Sequence, residues 1–172
     1  TLLLLIIILV YVVMASQFES LLDPFVIMFS VPFAIVGVLI GITVHGMALD
    51  VMAMIGILIL VGIVVKNGIV LIDYAILCHD RGMDINTAVT TASRQRLRPI
   101  LMTTLTTVLG MVPMAMGSGE GAEMWNGLGI TVSWGLSVST LITLILIPTL
   151  YAAFVSRREK RQAKREMKRI NN

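Results

Sequence analysis

Lys66 is the one charged residue in the middle of residues 51–77, a run that is apolar except near its ends. If this run crosses a bilayer as a helix, about eleven residues, roughly 16 Å of axis, separate the lysine from the Leu77 end. A lysine stem reaches about 6 Å, too short to bring the ammonium to the headgroups. Leaving that charge in hydrocarbon costs at least about 3 kcal/mol. The ammonium therefore has two uses: a structural salt bridge that pins two helices together, or the counter-charge of a transport or proton-relay site. Asp73 follows seven residues later, on the same helical face and about 10 Å along the axis. It reads either as an interfacial acid near the helix end or as a group coupled to Lys66 through water or Asn67. Further on, Thr103, Thr104, Thr106 and Thr107 form a hydroxyl cluster, with Arg96 two turns before Thr103 on the same face. Membrane threonines usually bond back to their own backbone. Beside an intramembrane lysine and an arginine at the membrane edge, they predict a hydrated polar seam. No apolar run holds a central carboxylate, so the counter-ion of Lys66 must come from outside this chain.

The elements that position these groups are helices in a membrane. Hydrophobic residues make up 57% of the 172 and charged residues 13%, about half the charge of a soluble domain; mean hydropathy is +0.94. Several runs reach the roughly 20 residues that a hydrocarbon core requires, and in lipid such runs satisfy their backbone as helices. The expected fold is all-α: a five-helix transmembrane module over residues 1–156, with helices at 1–16, 24–44, 51–77, 99–117 and 126–155. Residues 157–172 form a basic tail. Asp23 is placed to cap the second helix, with Pro24 at its first position, and Pro32 predicts a kink. Gly37 and Gly41 form a GxxxG pair suited to close helix contact. Asp50 is the expected cap of the third helix. Ile85, Ala88, Val89 and Ala92 fall at i, i+3, i+4 and i+7, so residues 84–97 read as an amphipathic connector helix lying along the membrane surface. The fifth run carries small residues at Gly129, Ser133 and Ser137.

Basic residues give the direction. The turns at 45–50 and 118–125 contain no lysine or arginine, whereas the connector region has Arg81, Arg94, Arg96 and Arg98 and the tail has eight basic residues. The positive-inside rule puts connector, tail and C-terminus in the cytoplasm. The net charge of +3 arises in that tail, which fits an anchored cytoplasmic end rather than a nucleic-acid surface. Cys78 is the only cysteine, which excludes an intramolecular disulfide and a thiolate metal cluster. It is expected at the cytoplasmic edge, open to a thiol reagent from inside. The chain begins on Thr1 in a run too short for a full crossing, which reads as a cut from a longer polypeptide. No phosphate loop, nucleophile triad or metal-binding spacing is present, so no metal, cofactor or enzymatic role is expected.

Three strings resemble one family. Gly62-Ile-Val-Val-Lys66-Asn67-Gly68-Ile-Val-Leu-Ile-Asp73-Tyr-Ala is similar to the tenth transmembrane helix of resistance–nodulation–division (RND) exporters. Arg96-Leu-Arg98-Pro99-Ile-Leu-Met-Thr103-Thr104 resembles the start of their eleventh helix. Ala15-Ser-Gln-Phe-Glu19-Ser20, with Pro24 and Pro32 following, resembles the junction of their eighth and ninth. The resemblance runs to about Arg158. It implies the eighth to twelfth helices of a proton-driven multidrug or small-molecule exporter of the hydrophobe/amphiphile type or a close relative. It also implies a place in the bacterial inner membrane, with the proton-motive force in place of any cofactor. Lys66, Arg96 and Thr103 match the family's proton-relay residues, with Asn67 and Asp73 as weaker candidates. The implied partners are an N-terminal half carrying paired aspartates and porter domains, two further copies in a homotrimer, and a periplasmic adaptor with an outer-membrane channel. Without that half, transport by this chain alone is not expected. The alternative function is a membrane structural or assembly module that moves no protons.

Overall fold

The computed structural model describes residues 2–119 and 121–170, with side chains apart from those of residues 2, 3, 158–166 and 168–170. All regular structure among the described residues is helical: α1 (Leu2–Phe18), α2 (Leu22–Met28), α3 (Ser30–His45), α4 (Val51–Asp80), α5 (Ile85–Ala115) and α6 (Glu123–Ile170). Four stretches are long and apolar enough to cross a membrane: Leu22–His45, Val51–Asp80, Ile85–Ala115 and Glu123–Arg157. The apolar α1 is shorter, and it packs chiefly on α2.

The second expected helix is realised as α2 and α3 with a notch at Phe29. Proline has no amide hydrogen to give to the carbonyl four residues earlier. Pro32 thus cannot donate to the Met28 carbonyl, and the notch follows Met28 directly. Ser30 Oγ donates to the Ile27 carbonyl at 2.6 Å beside it. Asp23 does not cap: α2 begins at Leu22, placing Asp23 and Pro24 inside its first turn. Asp50 does cap, accepting the Ala53 amide at 2.7 Å. Gly46, at φ +61°, closes α3 with a left-handed turn that a Cβ would strain.

α6 is the central helix and packs on α3, α4 and α5. Small residues set these contacts. A Cβ on Gly41 would stand 2.7 Å from Trp134, and one on Gly37 would stand 2.8 Å from Val138, so the GxxxG pair seats α6. Gly135 answers from α6, fitted against Leu60 and Val38. With no hydrophobic force between helices in lipid, such close approach supplies the van der Waals contact that holds them together.

The connector differs from expectation. It is not a separate surface helix: the helices expected at 84–97 and 99–117 are realised as one, α5 (Ile85–Ala115), which runs through both Pro99 and Pro113. The buried stripe Ile85, Ala88, Val89, Ala92, Ile100, Thr104 continues past Pro99, which is itself exposed. Burying that stripe against the protein holds the helix through a residue that would start a new one in isolation. α6 likewise continues through Pro148 to Ile170 without a boundary at residue 156. The tail's charge pattern falls mostly on side chains outside the described set.

Candidate functional site

α4 separates two faces. Ala53, Gly56, Leu60, Val61, Val64, Val65, Gly68, Leu71, Ile72, Ala75 and Cys78 are buried at helical spacing. Lys66 and Asp73 lie on the opposite, exposed face with Ile59, Gly62 and Leu77. No hydrogen bond or ion pair joins Lys66 to any described residue. Asp73 is on the same face, but the structure does not bring the two together, and Asn67 turns partly inward.

Thr103 and Thr104, adjacent in sequence, have different surroundings. Thr103 is exposed on α5, and its hydroxyl donates to the carbonyls of Pro99 at 3.2 Å and Ile100 at 2.9 Å. Thr106 and Thr107 also bond back, to Met102 and Thr103. Thr104 is buried and meets Thr140 of α6, Oγ1 to Oγ1, at 3.2 Å. A polar seam therefore exists, but of the four threonines in the expected cluster only Thr104 reaches across to another helix. Asn67, Ser139, Thr140 and Thr143 line it with Val64 and Ile100, in a space too tight for water. The Thr143 hydroxyl is buried there without a partner. Ser139, Thr140 and Thr143 share one face of α6 by their spacing; sequence reasoning passed over them in favour of the Gly129–Ser133–Ser137 stripe.

Arg96 turns toward α4. Its guanidinium carbon lies 4.7 Å from the centroid of the Tyr74 ring. The Tyr74 hydroxyl donates to Gln95 Oε1. Arg96 Nε is buried without a hydrogen-bond partner. This three-residue contact joins α4 to α5 and went unnoticed in the sequence; the signal was an aromatic residue eight positions after Lys66, at the helix end that faces the arginines. Cys78, expected to be reachable by reagents, is buried at 2% exposure.

Thus Lys66 and Thr103 stand on exposed faces of neighbouring helices, and Arg96 is held at the α4–α5 contact. An exposed ammonium on an apolar helix can serve as a counter-charge to a group brought by another helix. It cannot complete an acid–base site here, since no described carboxylate is within ion-pair reach.

Residues 1–155 match the model of the AcrB/AcrD/AcrF family. The chain is 42% identical over 158 residues to the swarming motility protein SwrC of Bacillus subtilis, covering 91% of this chain and 15% of that protein. It is 42% identical over 143 residues to the multidrug resistance protein MdtC of Erwinia tasmaniensis, covering 83% of this chain and 14% of that one. The crystal structure of a heavy metal efflux pump superposes with a TM-score of 0.81 at 31% identity, over 90% of this chain and 15% of the pump. The chain thus spans about 15% of the length of the relatives it matches.

Proposed function

The chain belongs to the AcrB/AcrD/AcrF family of RND efflux transporters, and from that membership we propose that it supplies the lysine side of a proton relay. In this reading it is the C-terminal membrane half of a proton-driven exporter of drugs or other small molecules. The supporting observation is the placement of Lys66: exposed, at the middle of an apolar helix, with no acid among the described residues within reach. Facing lipid there costs about 3 kcal/mol or more. A helix from the N-terminal half, bringing paired aspartates to this face, removes that cost. The ionised aspartates hold Lys66; proton uptake neutralises them, weakens the attraction and releases the lysine. Two packings of the helices then alternate, and the porter domains follow. Arg96 and Thr103 serve the same relay, with Asn67 and Asp73 in lesser roles. The complete pump is a homotrimer in the inner membrane, C-terminus in the cytoplasm, joined by a periplasmic adaptor and an outer-membrane channel.

The test is export by a full-length transporter carrying these residues. Lys66→Ala is expected to leave its amount in the membrane unchanged and to abolish export. Lys66→Arg is expected not to restore it, because a planar fork does not replace a compact ammonium. Arg96→Ala and Thr103→Ala lower export less. Normal pumping by Lys66→Ala would assign the lysine a structural role and leave the chain as an assembly module.

A further inference from the structure

We propose that Tyr74 is a positioning residue for Arg96, carrying the guanidinium on its ring while Gln95 fixes the ring from the same turn of α5. The inference rests on the reading that Arg96 takes part in proton coupling. It goes beyond that reading by assigning roles to Tyr74 and Gln95, which none of the relay residues requires.

Three observations carry it. The guanidinium carbon is 4.7 Å from the ring centroid, inside the range where a cation is attracted by the negative face of an aromatic ring. The Tyr74 hydroxyl donates to Gln95, the residue immediately before Arg96. The ring is thereby fastened to the short stretch of backbone that bears the arginine, and the side chain and its support move together. Last, Nε is shut away from solvent with no acceptor. An arginine normally takes its geometry from a carboxylate or carbonyl fork; at Nε this one has neither. The aromatic face is what the structure provides at that point to offset the lost hydration.

The arrangement has a functional consequence. A guanidinium held by a ring keeps its charge and leaves its remaining donors unengaged by that contact, so it can meet water or a transient partner. A carboxylate in the place of Tyr74 would neutralise the arginine permanently. Tyr74 thus holds Arg96 in position without silencing it.

The experiment uses the full-length transporter carrying this segment, with export rate measured against substrate concentration and the amount in the membrane measured alongside. Tyr74→Leu keeps apolar volume and removes the ring. It is expected to lower the maximal rate about fivefold with half-saturation unchanged, the size a lost ring–cation contact implies. Tyr74→Phe and Tyr74→Trp keep a ring and are expected to stay within about twofold of the parent. Arg96→Ala is the control. If it impairs export while Tyr74→Leu does not, the positioning role is wrong and the relay reading stands. If Arg96→Ala exports normally, the relay reading falls and this inference with it. Loss in Tyr74→Phe and Tyr74→Trp equal to that in Tyr74→Leu would mean that the ring does not hold Arg96, and would overturn the ring–cation assignment.

Discussion

Adjacent threonines on α5 have different surroundings, and the proposed relay draws on only one of them. Thr104 bonds to Thr140 in a buried contact between helices. Thr103 is exposed and bonds only within its own helix. Replacing Thr104 or Thr140 by valine is expected to lower stability, and a double-mutant cycle between them is expected to give a coupling of about 0.6 kcal/mol, typical of hydrogen bonds between membrane helices. Unfolding measured in detergent or bicelles checks this. Thr103→Val is expected to leave stability within about 0.5 kcal/mol while reducing export by the full-length transporter. A coupling of zero for Thr104 and Thr140 would mean that the buried hydroxyls find other partners. The candidate residues Lys66, Arg96 and Thr103 were legible in the sequence because charge and hydroxyl groups stand out against an apolar run. Their surroundings were not. Whether a threonine faces a helix or the outside depends on rotation about the helix axis, and every face of these helices is apolar.

At the scale of helices, small residues mark the buried face better than hydrophobicity does. The inward stripe of α4 contains Ala53, Gly56, Gly68 and Ala75, while Ile55, Ile59 and Leu77 face out. Large apolar side chains occupy both faces of α4, since they lose nothing by facing lipid, whereas small ones allow backbones to approach. Gly41→Leu should therefore weaken the α3–α6 contact by about 1–3 kcal/mol, the usual cost of overfilling a packed site, because its Cβ would already sit 2.7 Å from Trp134. A methyl group added at Gly62 would meet nothing within 4 Å. Gly62→Ala is expected to raise the stability of the isolated chain by up to about 1 kcal/mol through helix propensity alone. Thermal unfolding of the two variants in one detergent compares them directly; a destabilising Gly62→Ala would show that this face is packed. Much of the helical plan was readable: the GxxxG pair, the Asp50 cap and the break associated with Pro32 follow from local chemistry. The continuity of α5 was not, because Pro99 is a strong local signal to start a helix. What outweighs it is burial of a stripe extending from Ile85 to Thr104, and that depends on neighbours distant in sequence.

For the whole molecule, orientation and autonomy are the properties to test. Buried Cys78 is a poor reporter of sidedness. With Cys78 replaced by alanine, Met83→Cys and Met116→Cys place thiols at exposed positions in opposite turns. By the positive-inside rule, an impermeant thiol reagent added outside intact cells should label position 116 and spare position 83; the reverse result would invert the topology. Autonomy turns on Lys66. The chain has helices able to satisfy their own backbone in lipid, so insertion without a further segment is the expected outcome. Coupling is different. A relay needs an acid that takes up the proton and a base or counter-charge that responds, and two packings that alternate between them. These residues provide the ammonium on an open face of α4 and, among the described residues, no acid within its reach. The 172-residue chain, purified and reconstituted alone, is therefore expected to carry no proton flux above that of empty vesicles, read with a pH-sensitive dye sealed inside under an imposed gradient. Adding an N-terminal half with its paired aspartates is expected to restore gradient-driven export, and to do so only with Lys66 intact. Proton flux by the chain alone would point instead to Asp73, the acid on the same face of the same helix, as a relay partner reached through water.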